Sequence, residues 1–288
     1  MLKVAFIIYR QWGYDIFREI KKYQKIRKDF SIPLLIANDK HQCKLRLKDQ
    51  KETSFTIVKE NDNSTIYNLL KSQRIDIACF YSWSWIVDKK TIKEFTCLCL
   101  HPSLLPRFRG GTPIQHQVLR NEKKTGVTIF RMNDIIDGGP IYSQELISFA
   151  GNVEDIFKRM TDVGTIMTKQ LITDAVNNKL KFKPQKNPIK YPPNKRRNPA
   201  QSEIKFIELK NMEFNKLNNL VRGLLYPYPN VNIKIKEKTM YLQQIEYYEN
   251  LPGGSEVISD NNPIYRNRGN YCLRLRDGYA KLIKYVFI

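Results

Sequence analysis

FTCLCLHPSLLPRFRGGTP, Phe95 to Pro113, is the stretch on which the fold turns. An apolar run of strand length, Phe95 to Leu100, leads directly into a loop stiffened by Pro102, Pro106, Gly110, Gly111 and Pro113. A short apolar run bounded by Pro and Gly reads as a buried strand. In open α/β sheets ligands collect beyond the carboxyl ends of strands, so polar side chains in this loop are candidate site residues.

Working outward, the preceding chain alternates short apolar runs with helical periodicity. VAFII (Val4 to Ile8) precedes a helix over Gly13 to Tyr23 carried by Ile16, Phe17 and Ile20; then come IPLLIA, SFTIV, a helix near Ser64 to Gln73, and DIACFY. This βαβ rhythm predicts a Rossmann-like α/β fold, a mostly parallel twisted sheet with helices on both faces. The first strand ends in Tyr9-Arg10-Gln11-Trp12-Gly13 with no GxGxxG turn, which excludes a dinucleotide site of that type. Downstream the pattern predicts a short helix from Ile114 to Asn121, a strand at TGVTIF, a tight loop at MNDIIDGGPI and a strand at PIYSQELI. A long amphipathic helix over Asn152 to Asn178 follows, capped by Asn152, with Ile156, Met160, Val163, Met167, Leu171 and Val176 on its apolar face.

The first domain therefore spans 1–180. Residues 181–200, within the run KLKFKPQKNPIKYPPNKRRN, are rich in Lys, Arg and Pro without apolar periodicity and read as a linker or surface-crossing arm. Residues 201–288 carry a helix marked by Leu217, Leu220, Val221 and Leu224, then alternating strands; they predict a small β-rich domain, a partly closed, OB-like barrel. No internal repeat is present.

Composition narrows the function. Of 288 residues 42% are hydrophobic and 27% charged, which excludes disordered and fibrous classes. Lys and Arg outnumber Asp and Glu by 49 to 28, and a net charge of +21 attracts polyanions: nucleic acid, nucleotides or acidic surfaces. A solvated basic surface explains it equally well. Five cysteines without a CxxC pair, and only three histidines (His41, His101, His116), argue against a metal site or a disulfide framework and for the cytoplasm. No signal peptide and no apolar run of about 20 residues is read, so no membrane is expected.

HPSLLPRFRGG, followed by TGVTIFRMNDIIDGGPI, resembles the 10-formyltetrahydrofolate-dependent formyltransferases, a family that includes glycinamide ribonucleotide, methionyl-tRNA and nucleotide-linked amino-sugar formyltransferases. The resemblance covers most of the first 180 residues; RRNPAQSEI and VRGLLYPYPN resemble the family's second domain more weakly. It implies attack of an amine on a formamide-like carbon, which needs an oxyanion donor and groups that move protons. His101 and Asp137 match the family's catalytic His and Asp, implying an oxyanion stabiliser and proton shuttle with its electrostatic partner. The family's Asn is Cys99 here, a weak donor without amide geometry. Another donor such as Ser103, a backbone N–H or water takes over, or the protein is slow, or it is silent; the retained His and Asp favour activity. Cys99 is not read as a covalent nucleophile.

By the same resemblance Ser84, Trp85 and Ile86, with the backbone of Asp134, Ile135 and Ile136, are folate candidates, although Trp83 and Trp85 also suit a core. Tyr9, Arg10, Trp12, Ser103, Arg109, Gly110 and Gly111 are substrate candidates, Arg109 as a phosphate ligand; Gln115 and His116 cap a helix or join them. YRQWG, FYSWSWIV, RGGTPIQHQV and Cys99 look most like the branch acting on nucleotide-linked 4-amino-4,6-dideoxy sugars in surface glycan (lipopolysaccharide) biosynthesis. The alternatives are a methionyl-tRNA formyltransferase and a catalytically silent, basic RNA-associated homologue. The second domain binds the nucleotide, covers the cleft or forms a homodimer. No metal is implied.

Overall fold

The structure is a computed structural model and describes residues 1–40, 43, 53–226, 228–235, 237–258, 264–267 and 269–288; His41 lies outside them. Contacts divide the chain into two units. The first holds 1–113, 124–148 and 156–195; the second holds 114–123, 149–155 and 196–288.

The first unit is built on a seven-stranded sheet, β1 (Leu2–Ile8), β2 (Phe30–Asn38), β3 (Ser54–Val58), β4 (Ile77–Tyr81), β5 (Thr96–His101), β6 (Lys124–Arg131) and β7 (Ile141–Ser148). The spatial order is β3-β2-β1-β4-β5-β6-β7; the first five strands run parallel, and β6 and β7 are antiparallel. The expected mostly parallel α/β sheet is thus present. Order reverses between β1 and β4, so their carboxyl ends frame a crevice of the kind in which such sheets bind ligands. Strands β1, β2 and β4 are continuous apolar runs, as strands covered on both faces must be.

Helix α1 (Gln11–Ile26) buries Trp12, Tyr14, Ile16, Phe17 and Ile20, each full burial contributing about 1.5–3 kcal/mol. It starts two residues before the expected Gly13, which places Trp12 in the first turn and inside the core. Asp62 and Asp88 cap α2 (Asn63–Ser72) and α3 (Lys89–Glu94) by accepting from Thr65 N and Thr91 N. The sequence shows no periodicity for α3, which is too short to display one. Helix α5 (Val153–Val176) is capped as expected, Asn152 Oδ1 accepting from the backbone N–H of Glu154 and Asp155.

In the second unit, α4 (Pro113–Leu119) carries Gln115, whose Nε2 donates to Gly223 O at 3.4 Å, the last residue of α7 (Phe214–Gly223). One further short helix, α6 (Phe206–Leu209), precedes six antiparallel strands, β8 (Val231–Ile235), β9 (Lys238–Tyr248), β10 (Glu256–Val257), β11 (Ile264–Asn267), β12 (Asn270–Leu275) and β13 (Gly278–Phe287). They pair in the order β10-β11-β12-β13-β9-β8. Leu217 and Val221 of α7 close one face over Met240, Leu242, Leu273 and Leu282.

The basic stretch after α5 belongs to the first unit as far as Lys195. Lys183 exchanges backbone hydrogen bonds with Ile141, and Asn194 forms a parallel bridge with Gly110.

Candidate active site

His101 is the last residue of β5, its side chain 6% exposed, and faces Thr128 across the β5–β6 pair. Its Nε2 lies 2.9 Å from Phe108 O. A carbonyl can only accept, so Nε2 is the protonated nitrogen and donates that bond. Nδ1 stands 3.5 Å from Asp137 Oδ2. The nitrogen left to change protonation is therefore the one beside the carboxylate; a proton there makes the ring a cation paired with Asp137, and its departure leaves an acceptor.

Two loops build this pair. In the first, residues 102–112, Thr128 Oγ1 donates to Ser103 O at 2.6 Å and accepts from Leu105 N, while Gln144 Nε2 donates to Leu105 O and to Thr128 Oγ1. The Thr of TGVT thus fixes the loop that turns back to His101. In the second loop Asp137 itself is left-handed (φ 47°), a conformation that Asp tolerates better than most residues. Its Oδ2 accepts Gly110 N–H at 2.7 Å. Gly139 must lack a side chain because a Cβ would overlap the carbonyl of Arg131.

The basic arm reaches both loops. Gln185 Nε2 donates to Asp137 O at 2.9 Å and to Gly139 O at 2.8 Å. Asn194 donates to Arg109 O from its backbone N at 2.7 Å and from Nδ2 at 3.1 Å, and its own carbonyl accepts Gly111 N–H at 2.8 Å. Gly110 (φ +87°) needs its glycine, since a Cβ would meet Asn194 O at 2.5 Å. Gln185 and Asn194 were not visible as site residues in the sequence, because neither sits in a periodic or motif-like pattern.

Arg109 is 4% exposed, and its Nε and Nη1 have no hydrogen-bond partner. Nη1 would lie 3.2 Å from a Cβ on Gly138, so the guanidinium stands against the turn that follows Asp137. A buried guanidinium with unpartnered donors suits an anionic ligand group.

Cys99 lies two residues before His101, opposite Phe130 on β6 and Phe80 on β4. Burial pushes its thiol well above the ordinary range, with the charge of Asp137 adding to the effect. Such a thiol stays neutral, which fits its dismissal as a nucleophile.

At the β1–β4 crevice, Ser82 Oγ accepts from Tyr9 N at 3.1 Å and Arg10 N at 2.9 Å. Trp85 packs edge-on against Tyr9 (ring centroids 4.8 Å apart) and Trp83 (4.9 Å), and Arg10 lies over the Tyr9 ring. Tyr9, Arg10, Ser84 and Trp85 are half-buried, and Ile86 is exposed. Trp12, by contrast, is buried in α1. Ser103 is also fully buried, its hydroxyl donating to Arg107 O at 2.7 Å. In the 133–138 turn Ile135 uses its N–H on Asn133 Oδ1 and its C=O on Gly138 N, whereas Asp134 and Ile136 are exposed. Gln115 is buried and His116 is half-buried, both on α4. No group of three or more His, Cys, Asp or Glu among the described residues is placed to hold a metal, and no helix among them is long and apolar enough to cross a membrane.

Residues 2–172 match the family described as formyl transferase. Methionyl-tRNA formyltransferase of Buchnera aphidicola (Acyrthosiphon pisum) is 30% identical over 232 residues, covering 75% of this chain and 70% of that one. The Wolbachia pipientis enzyme of the same name is 26% identical over 66% of this chain; the match spans 60% of the Wolbachia protein's length. Among solved structures, a Helicobacter canadensis N-formyltransferase in complex with folinic acid and dTDP-3-aminofucose superimposes with a TM-score of 0.69 at 16% identity, over 99% of this chain and all of the other. Methionyl-tRNA formyltransferase from Clostridium thermocellum gives 0.64 at 22% identity, over 86% and 94%. At these identities the likeness is one of fold.

Proposed function

From the premise that the chain belongs to the formyl transferase family, we propose that it transfers a formyl group from 10-formyltetrahydrofolate to the amino group of a nucleotide-linked amino-dideoxy sugar. The observation that carries this reading is the pairing of buried His101 with half-buried Asp137 at the carboxyl end of β5, held by two loops whose sequence resembles that of the family.

Bound 10-formyltetrahydrofolate supplies a formyl group on nitrogen, electrophilic at its carbon. His101 Nδ1 would hold or give up a proton, with the Asp137 carboxylate 3.5 Å away as its electrostatic partner. Phe108 O fixes the ring's plane through Nε2, so the working nitrogen faces one direction only. Ser84, Trp85 and Ile86, with the backbone of Asp134, Ile135 and Ile136, are the residues that would hold the folate's flat head group; each is exposed or half-buried, which fits that role. Arg109 would meet an anionic group of either ligand with its unpartnered donors. Cys99 is a weak donor without amide geometry, so another donor, such as a backbone N–H or a water, would supply the oxyanion contact that an amide would give.

The sugar branch is supported by Tyr9, Arg10 and Trp85 at the crevice, an aromatic and cationic set suited to a nucleotide. It is also supported by the end-to-end correspondence with the Helicobacter canadensis protein. A 4-amino-4,6-dideoxy sugar is the first choice, from the segments at Tyr9–Gly13 and Phe80–Val87; that neighbour's 3-amino ligand puts a 3-amino sugar beside it in any trial. A second reading, formylation of methionyl-tRNA, is favoured by the 30% identity to the Buchnera aphidicola enzyme and by the +21 charge. Five cysteines without a CxxC pair support work in the cytoplasm. Single-turnover transfer from 10-formyltetrahydrofolate to a dTDP- or UDP-linked amino sugar tests the reading: it should proceed in the wild type and be lost in His101→Ala. Equal transfer by both proteins contradicts it.

A further inference from the structure

We infer that the basic arm is a positioning element of the catalytic site, and that Gln185 is the residue through which it acts. The inference rests on the functional reading above. Asp137 is held at two points, and each leads to the arm. Its carboxylate accepts Gly110 N–H, and Gly110 is pinned on either side: Asn194 donates to the Arg109 carbonyl and accepts from Gly111 N–H. Its backbone carbonyl accepts from Gln185 Nε2, whose second hydrogen goes to Gly139 O. One carboxamide therefore bridges the two carbonyls that flank Gly138. Because both are acceptors, only a side chain with two hydrogens on one atom, short of a charged amine or guanidinium, serves them at once.

The rest of the arm has a different character. Between these attachments Lys186, Ile189, Lys190 and Tyr191 are exposed, whereas Gln185 is 8% exposed. The left-handed backbone at Asp137 has no helix or strand to hold it, so its orientation toward His101 is set by the groups that bind its two ends. A reacting group displaced by about 1 Å costs on the order of 10²-fold in rate. Gln185 touches no reacting atom in this account; it acts through Asp137.

The test compares Gln185→Met, which keeps the length and removes both donated bonds, with Lys186→Ala, a change at the exposed neighbouring position of the arm. For Gln185→Met kcat per folate-binding site should fall at least tenfold, with KM for donor and acceptor within about threefold; Lys186→Ala should stay within about threefold in both. Unchanged kcat, or a loss matched by lost folate-binding sites, overturns the inference. A second readout needs no substrate. The ¹⁵N resonance of His101 Nδ1 should move in Gln185→Met in the same direction as in Asp137→Asn, and a resonance identical to wild type overturns the inference. Absence of turnover in the wild type would instead count against the functional reading, and the resonance would still decide on the arm.

Discussion

Replacing Asp137 with Asn separates the chemistry of the pair from its architecture. Asn tolerates the left-handed φ of 47° at this position, so the turn survives the change. Its amide oxygen can still accept Gly110 N–H, now 2.7 Å from a carboxylate oxygen, but as a neutral acceptor. A hydrogen bond to a charged group contributes about 1.5–3 kcal/mol and a neutral one about 0.5–1.5, so stability should fall by about 1 kcal/mol. For a chain of this size that is a drop of a few degrees in Tm. The rate should suffer more. The carboxylate stands 3.5 Å from His101 Nδ1, and losing one such preorganised electrostatic group costs about 10²–10³-fold. The assay is formyl transfer under saturating substrates beside a thermal melt of the same preparation. A variant within threefold of wild type in rate, with an unchanged melt, would refute the assignment of Asp137.

Other perturbations read other parts of the site. Burial pushes the Cys79 and Cys97 thiols up to about 12, so the unfolded chain ionises them first as pH rises past about 9. Stability carried by these neutral thiols is complete below that pH and is lost between about 9 and 12, at about 1.4 kcal/mol per pH unit for each thiol. Urea midpoints at pH 8 and 10 should show a smaller drop in Cys97→Ala than in wild type; equal drops count against the burial argument. Cys99→Asn should preserve or raise transfer, and iodoacetamide at neutral pH should leave Cys99 unmodified by mass spectrometry; a strong loss of transfer in the variant would give the thiol a role of its own. Thr128→Val keeps the shape but strands Leu105 N–H and removes the bond to Ser103 O, for an expected cost of about 1–3 kcal/mol in urea titrations. Gly139→Ala should displace the 137–139 turn from the Arg131 carbonyl and lower both Tm and transfer, and a normal melt with full activity would show that the turn yields freely.

The strands and the long helices of the first unit were legible because burial on both faces leaves continuous apolar runs and burial on one face leaves a helical period. His101, Asp137 and Arg109 stand out in the sequence because the motif carries them, His101 at the end of a strand and the other two on Pro- and Gly-rich loops. What the sequence hid were contacts without local pattern. Trp12 looked like a crevice residue until α1 was seen to begin at Gln11, which turns it into the core. Ser103 looked available as a donor, yet its hydroxyl serves Arg107 O. Gln185 and Asn194 lie in a Lys- and Pro-rich run whose composition reads as a linker or a surface-crossing arm. Their importance comes from partners 46 to 85 residues away in sequence, which no periodicity records.

The most direct test of the central claim is a parallel transfer assay with 10-formyltetrahydrofolate against dTDP- and UDP-linked 3-amino and 4-amino dideoxy sugars and against methionyl-tRNA, with wild type and Asp137→Asn side by side. The account predicts turnover of one nucleotide sugar by the wild type, lost by at least 10²-fold in the variant, and no formylation of the tRNA. Formylation of methionyl-tRNA with every sugar untouched would contradict it.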